Sequence, residues 1–213
     1  VINLESHKKT DEKISIYKLD TSEEILEYYK KWTDNNNYEK DLEEWNYLAP
    51  LFCSQIFTSY VLNKNSLVLD AGCGTGLVGK ILNNKGYKKI EGLDFSKEML
   101  DLIPPNIYHS IYQADLNKKL EVPDSFYDHA ICVGTFTYGH VRAYAFDEFY
   151  RILKNNSYFI FSVNEGVYSS YGFDEAISKF ETKGYWSVIS NEKKTYIEKK
   201  NIEANYVLVQ VKK

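Results

Sequence analysis

The sequence predicts an α/β protein: a mostly parallel sheet with helices on both faces, fronted by a helical cap. Three observations carry this reading. From Leu67 onward, short apolar runs alternate with amphipathic stretches, the pattern of strand–helix units that builds a parallel sheet. The apolar run Leu67-Val68-Leu69 ends in Asp70 and enters Ala71-Gly72-Cys73-Gly74-Thr75-Gly76. Leu77 to Leu82 follows at once, so strand, glycine-rich turn and helix succeed one another without a gap. Before residue 66, apolar residues recur at helical spacing instead.

The elements follow in order. Residues 1–20 are polar and read as a flexible N-terminus, and 21–65 read as a helical cap or lid. Thr21-Ser22-Glu23-Glu24 is a capping box ahead of Ile25, Leu26, Tyr28, Tyr29 and Trp32, which predicts a helix to about Trp32. Asp34-Asn35-Asn36-Asn37 breaks it, and a second helix carries Leu42, Trp45 and Leu48. Pro50 fits the first turn of a third helix, with Phe52, Ile56 and Phe57 on its apolar face. Residues 66–213 form the core. Strands are expected at 67–70, 89–94, 110–114, 127–133, 158–163 and 205–211, the last inserting antiparallel. Helices are expected at 76–83, 96–102, 142–153 and 173–183. Pro104-Pro105 stops the second of these, and Phe146, Phe149, Tyr150 and Leu153 set the apolar stripe of the third.

Composition narrows the function classes. The 213 residues suit one domain with its cap, and 44% hydrophobic residues allow a substantial core. With 26 Lys+Arg against 30 Asp+Glu the net charge is −4, a balance that disfavours a nucleic-acid partner. Cys53, Cys73 and Cys132 are an odd number without a C-x-x-C pair, so neither a disulfide framework nor a metal site is expected. No 18-residue apolar run is present, and a cytoplasmic protein without membrane contact is expected.

The glycine turn has two readings. Gly74-Thr75-Gly76-Leu77-Val78-Gly79 is a literal G-x-G-x-x-G with Asp94 20 residues on, as a NAD-binding fingerprint requires. Asp70 separates the readings. An acid just before the turn repels a pyrophosphate, whereas S-adenosylmethionine carries an ammonium and a sulfonium and no phosphate. Successive strand tips then offer acids suited to that donor. Asp70 with Gly72, Gly74 and Gly76 faces its methionine half, Asp94 its ribose diol, and Asp115 its adenine amine. Ser96 reads as a helix N-cap, and Met99, one turn on, suits an adenine face. The fourth strand ends in Gly134-Thr135-Phe136-Thr137-Tyr138-Gly139-His140, beside the expected position of the methyl group. His140 is the candidate catalytic residue there, a base for a hydroxyl, amine or thiol. His7, His109 and His129 read as surface or packing residues.

These motifs resemble motif I and its companions in class I S-adenosylmethionine-dependent methyltransferases. More narrowly, Gly92 to Leu100, Gly134 to Val141, Ala49-Pro50 and Gly184-Tyr185-Trp186 resemble the Williams–Beuren syndrome chromosomal region 27 type, or methyltransferase-like protein 27 type. The resemblance implies a Rossmann-like seven-stranded sheet. It implies donor contacts at Asp70, Gly72, Gly74, Asp94, Met99, Asp115 and Leu116, with Trp32 and Tyr38 closing over the methionine end. Cys73, Gly76, Phe95 and Val133, beside these in the turn and at the strand tips, complete the expected cofactor set. Lys154-Asn155-Asn156-Ser157 replaces the family's Lys-Pro-Gly-Gly turn. The expected activity is methylation of a small-molecule acceptor with S-adenosylmethionine, by a monomer or weak dimer. The alternatives are a donor-binding pseudoenzyme and a protein or RNA methyltransferase. No Asn-Pro-Pro-Tyr-type element of amide and adenine N-methylases follows the fourth strand.

Overall fold

A computed structural model describes residues 22–33 and 37–213. The expected flexible residues 1–20, Thr21 of the capping box and the Asp34-Asn35-Asn36 break lie outside the described residues. Three helices lead: α1 (Ser22–Thr33), α2 (Asn37–Glu44) and α3 (Ala49–Tyr60). The core follows as β1 (Val68–Ala71), α4 (Leu77–Asn84), β2 (Ile90–Asp94), α5 (Lys97–Asp101), β3 (Ser110–Gln113), β4 (His129–Phe136) and α6 (Ala145–Ile152). It ends with β5 (Tyr158–Asn164), α7 (Glu165–Tyr168), α8 (Phe173–Thr182), β6 (Trp186–Ile197) and β7 (Ile202–Val211).

The seven strands order as β3-β2-β1-β4-β5-β7-β6. β1 to β5 run parallel, and β7 enters antiparallel between β5 and β6. Strand alternation sorts side chains onto two faces. Leu69, Ala130, Cys132, Phe159 and Phe161 face α6 and α8, whose Phe146, Phe149, Phe173 and Phe180 fill an aromatic core. Val68, Ile131, Val133 and Ile160 face α3 and α4. Within the expected 21–65 cap, α3 therefore behaves differently from α1 and α2. Its Ala49, Cys53 and Phe57 are fully buried against the sheet, so it is a sheet-covering helix. Among the described residues, no helix is long and apolar enough to cross a membrane.

Several elements differ from expectation, among them β7, which starts at Ile202 rather than at 205. α2 stops at Glu44, because Asn46 turns left-handed (φ 54°), so Trp45 and Leu48 lie in the connection to α3. β4 continues through Gly134-Thr135-Phe136 beyond an irregularity in its pairing with β5. β6 and the short α7 lie where no element was placed.

Candidate active site

The C-terminal edge of the parallel strands is where an open α/β sheet leaves a crevice. Here α1 and α2 roof it, enclosing a cavity of about 190 Å³. The floor is the β1–α4 turn. Gly72, Gly74 and Gly76 have φ of 73°, 53° and 87°, a region that glycine enters without strain. Gly72 is also required by proximity, since a Cβ there would lie 2.0 Å from Thr135 Oγ1. The turn is pinned to β2, with the Gly72 and Cys73 N–H groups donating to the Leu93 carbonyl at 2.7 and 2.9 Å.

Asp94, at the tip of β2, is the best-organised acid of the cavity. Its Oδ2 accepts from Gly74 N–H at 2.8 Å and its Oδ1 from Ser96 N–H at 2.9 Å. Each oxygen keeps a second lone pair for a ligand. Burial raises its pKa, and the backbone donors pull against that rise. Ser96 caps α5 as expected, accepting from Met99 N–H at 3.2 Å. Phe95 and Met99 line the same wall. Beyond β3, Asp115 and Leu116 line it too, the Asp115 carboxylate accepting from Asn117 N–H at 2.9 Å. Cys73 and Val133 line the cavity as well.

Two expected residues stand elsewhere. Asp70 is 1% exposed and does not line the cavity. It lies beneath the turn, where Tyr108 Oη donates to its Oδ2 at 2.5 Å. Burial raises its pKa to about 7, with Asp94 adding to the rise and the Tyr108 hydrogen bond opposing it. Gly76 faces the same tyrosine, with its would-be Cβ 3.2 Å from the Tyr108 ring. Gly79 and Gly92 also make room for that ring, at 2.3 and 3.2 Å. The third glycine of the G-x-G-x-x-G pattern thus serves Tyr108. Nothing singled out Tyr108 in the sequence, since the convergence of three glycines on its ring exists only in the folded chain.

The roof is aromatic. Trp32 and Tyr38 line the cavity edge-to-face, 4.7 Å apart, and Trp32 Nε1 donates to Asp41 at 2.7 Å. Tyr29 stacks on Trp32 at 6.3 Å, and Trp45 lies 5.7 Å from Trp32. Tyr47 and Tyr196 join from the α2–α3 connection and β6, and the Tyr47 hydroxyl sits 2.6 Å from where a Gly134 Cβ would be. Tyr196 was missed because its strand was missed.

His140 lines the cavity with both ring nitrogens engaged. Nδ1 contacts the Tyr138 carbonyl, an obligate acceptor, so Nδ1 carries the proton. Nε2 is then the acceptor for the Tyr29 hydroxyl at 2.9 Å. Burial lowers its pKa, so the ring is neutral near pH 7. Two cavity hydroxyls, Thr75 Oγ1 and Thr137 Oγ1, are buried without a hydrogen-bond partner among the described residues.

Comparison with known proteins agrees with this geometry. Residues 69–161 match the family profile described as a methyltransferase domain. The seven-stranded fold is shared with an S-adenosylmethionine-dependent methyltransferase from Mesorhizobium loti, at TM-score 0.56 and 16% identity over 68% of this chain and 91% of that one. It is shared also with the PH0226 protein of Pyrococcus horikoshii, at TM-score 0.60 and 19% identity over 88% and 99%. The cyclase SpnF has it too, at TM-score 0.61 and 13% identity over 75% and 80%. Residues 69–161 therefore match a methyltransferase domain, and the fold is the one these S-adenosylmethionine-dependent methyltransferase structures have. In sequence it is similar to human methyltransferase-like protein 27, 29% identical over 127 residues. That match takes in 58% of this chain and 51% of the human protein, so the chain spans about half the length of its curated relative.

Proposed function

We propose that this protein transfers a methyl group from S-adenosylmethionine to a small-molecule acceptor. The observation that carries the reading is Asp94: a carboxylate held on both oxygens by backbone donors, facing the cavity beside the glycine turn. It can accept both hydroxyls of a ribose. The glycine turn admits the methionine half, and the start of α4 with the unpartnered Thr75 hydroxyl offers donors to its carboxylate. Asp115 would accept from the adenine amine, and Met99 and Phe95 supply apolar surface to the ring.

S-adenosylmethionine, when bound, supplies a methyl group already activated on sulfur. The chain's task is then alignment and exclusion of water, which account for much of such a rate. Trp32, Tyr38 and Tyr29 exclude water from above. Neutral His140 has its Nε2 lone pair available if the Tyr29 hydroxyl turns away, so it can take a proton from an acceptor. A donor-binding protein without turnover is the second reading. It is favoured by the full engagement of His140, whose two ring nitrogens both have partners.

Calorimetry decides the cofactor. S-adenosylhomocysteine should bind and NAD should not. Asp94→Ala should weaken S-adenosylhomocysteine by more than tenfold in a folded protein, since hydrogen bonds to a charged group contribute about 1.5–3 kcal/mol each. An unchanged dissociation constant would remove Asp94 from the site.

A further inference from the structure

We propose that the acceptor half of the cavity takes a small organic cation, an ammonium on an apolar body, and rejects anions; this rests on the methyltransferase reading. Three observations converge. Charge is one-sided: the ionisable cavity carboxylates are Asp94 and Asp115, and no lysine or arginine is among the described lining residues. Lys118, outside the lining, pairs with Asp115 at 3.3 Å, so Asp94 is the cavity acid without a cation beside it among the described residues, and an anionic acceptor would enter a low-dielectric space against it.

The lining away from the glycine turn is aromatic. Tyr29, Trp32 and Trp45 come from the roof, and Tyr47 and Tyr196 stand over Gly134 at the tip of β4. Rings at several angles around one space attract a cation through their negative faces, Trp most strongly. The roof already does this once. Lys200, which does not line the cavity, holds its ammonium 5.2 Å over the Trp45 ring.

The third observation is Thr137 Oγ1, 6% exposed as a residue and without a partner among the described residues. A hydroxyl can accept from an N–H donor. It lies in the loop after β4, on the same side as His140. An aromatic lining for the cation and the absence of lysine and arginine from the described lining select an amine over a carboxylate or phosphate of equal size, and the Thr137 hydroxyl can accept its N–H.

The test uses three isosteric probes: phenethylamine, phenethyl alcohol and phenylacetate. Each is titrated into protein saturated with S-adenosylhomocysteine, with binding read by calorimetry and by Trp fluorescence. Phenethylamine should bind at least tenfold more tightly than the alcohol, and phenylacetate should be weakest. Thr137→Val and Trp32→Leu should each erode the amine's advantage over the alcohol. Equal binding of amine and alcohol, a preference for phenylacetate, or no binding by any probe overturns the proposal. The prior titration with S-adenosylhomocysteine alone keeps the two ideas apart. Its failure sinks the methyltransferase reading, whereas its success with no amine preference sinks only the acceptor class.

Discussion

Tyr108→Phe removes one hydroxyl and leaves the ring wedged against Gly76, Gly79 and Gly92. What it changes is the partner of a buried carboxylate. Asp70 Oδ2 accepts from Tyr108, and Oδ1 has no partner among the described residues. Burial raises the Asp70 pKa from 3.8 to about 7. With the folded value above the unfolded one, the stabilisation is fully present below the unfolded pKa. It is lost as pH rises through about 7, a swing of about 4 kcal/mol. The Tyr108 hydroxyl limits that loss, because it favours the charged form. A hydrogen bond to a charged group contributes about 1.5–3 kcal/mol and a neutral one about 1. Tyr108→Phe should therefore cost about 1 kcal/mol near pH 6, where Asp70 is mostly protonated. Near pH 8.5 it should cost about 2–3 kcal/mol. Urea denaturation of both proteins at the two pH values measures the difference. Equal losses at the two values would refute the coupling of Tyr108 to the ionised carboxylate.

Three further outcomes are expected. Hydrogen exchange in α1 and α2 should slow when S-adenosylhomocysteine is added, while α3, buried on the sheet, should change little; a uniform response across 22–60 would contradict a lid confined to the first two helices. His140 should titrate below the ordinary imidazole value in NMR spectra with Nδ1 protonated, so the stability it contributes is present above about pH 6.5 and falls in acid. Tyr29→Phe should move that midpoint up by removing a donor to Nε2, and an unmoved midpoint would break the Tyr29–His140 link.

Much of the fold was legible because burial enforces pattern. β1, β4 and β5 are central strands covered on both faces, so their residues 68–71, 129–133 and 158–163 are apolar almost without a break. β6 was illegible for the opposite reason. It is an edge strand whose one extended ladder among the described residues is with β7, and Asn191-Glu192-Lys193-Lys194 at its middle is exposed. Such charges suit an unpaired edge, and they erase the apolar signal of a strand. At the site, the glycines, Asp94 and Ser96 were legible because their roles are local, set by neighbours within one turn. The pairing of Asp70 with Tyr108 was not legible because Tyr108 lies 38 residues on in a loop, a proximity that no local pattern encodes.

The stitching of the α2–α3 connection to the far edge of the sheet decides how the roof can open. Leu48 N–H donates to the Tyr196 carbonyl at 3.0 Å, while Glu198 and Lys199 N–H donate to the Asn46 and Trp45 carbonyls at 3.2 and 3.1 Å. Residues 45–48 are thus an extra, one-bridge strand on β6, with Tyr47 opposite Ile197. They act as a fixed axle. A lid made of α1 and α2 would swing about this point, carrying Tyr29, Trp32 and Tyr38 away while Tyr47 and Tyr196 stay in place. An arriving donor and acceptor would therefore meet one moving wall and one stationary one, and the stationary wall sets the depth to which the acceptor can descend toward Gly134.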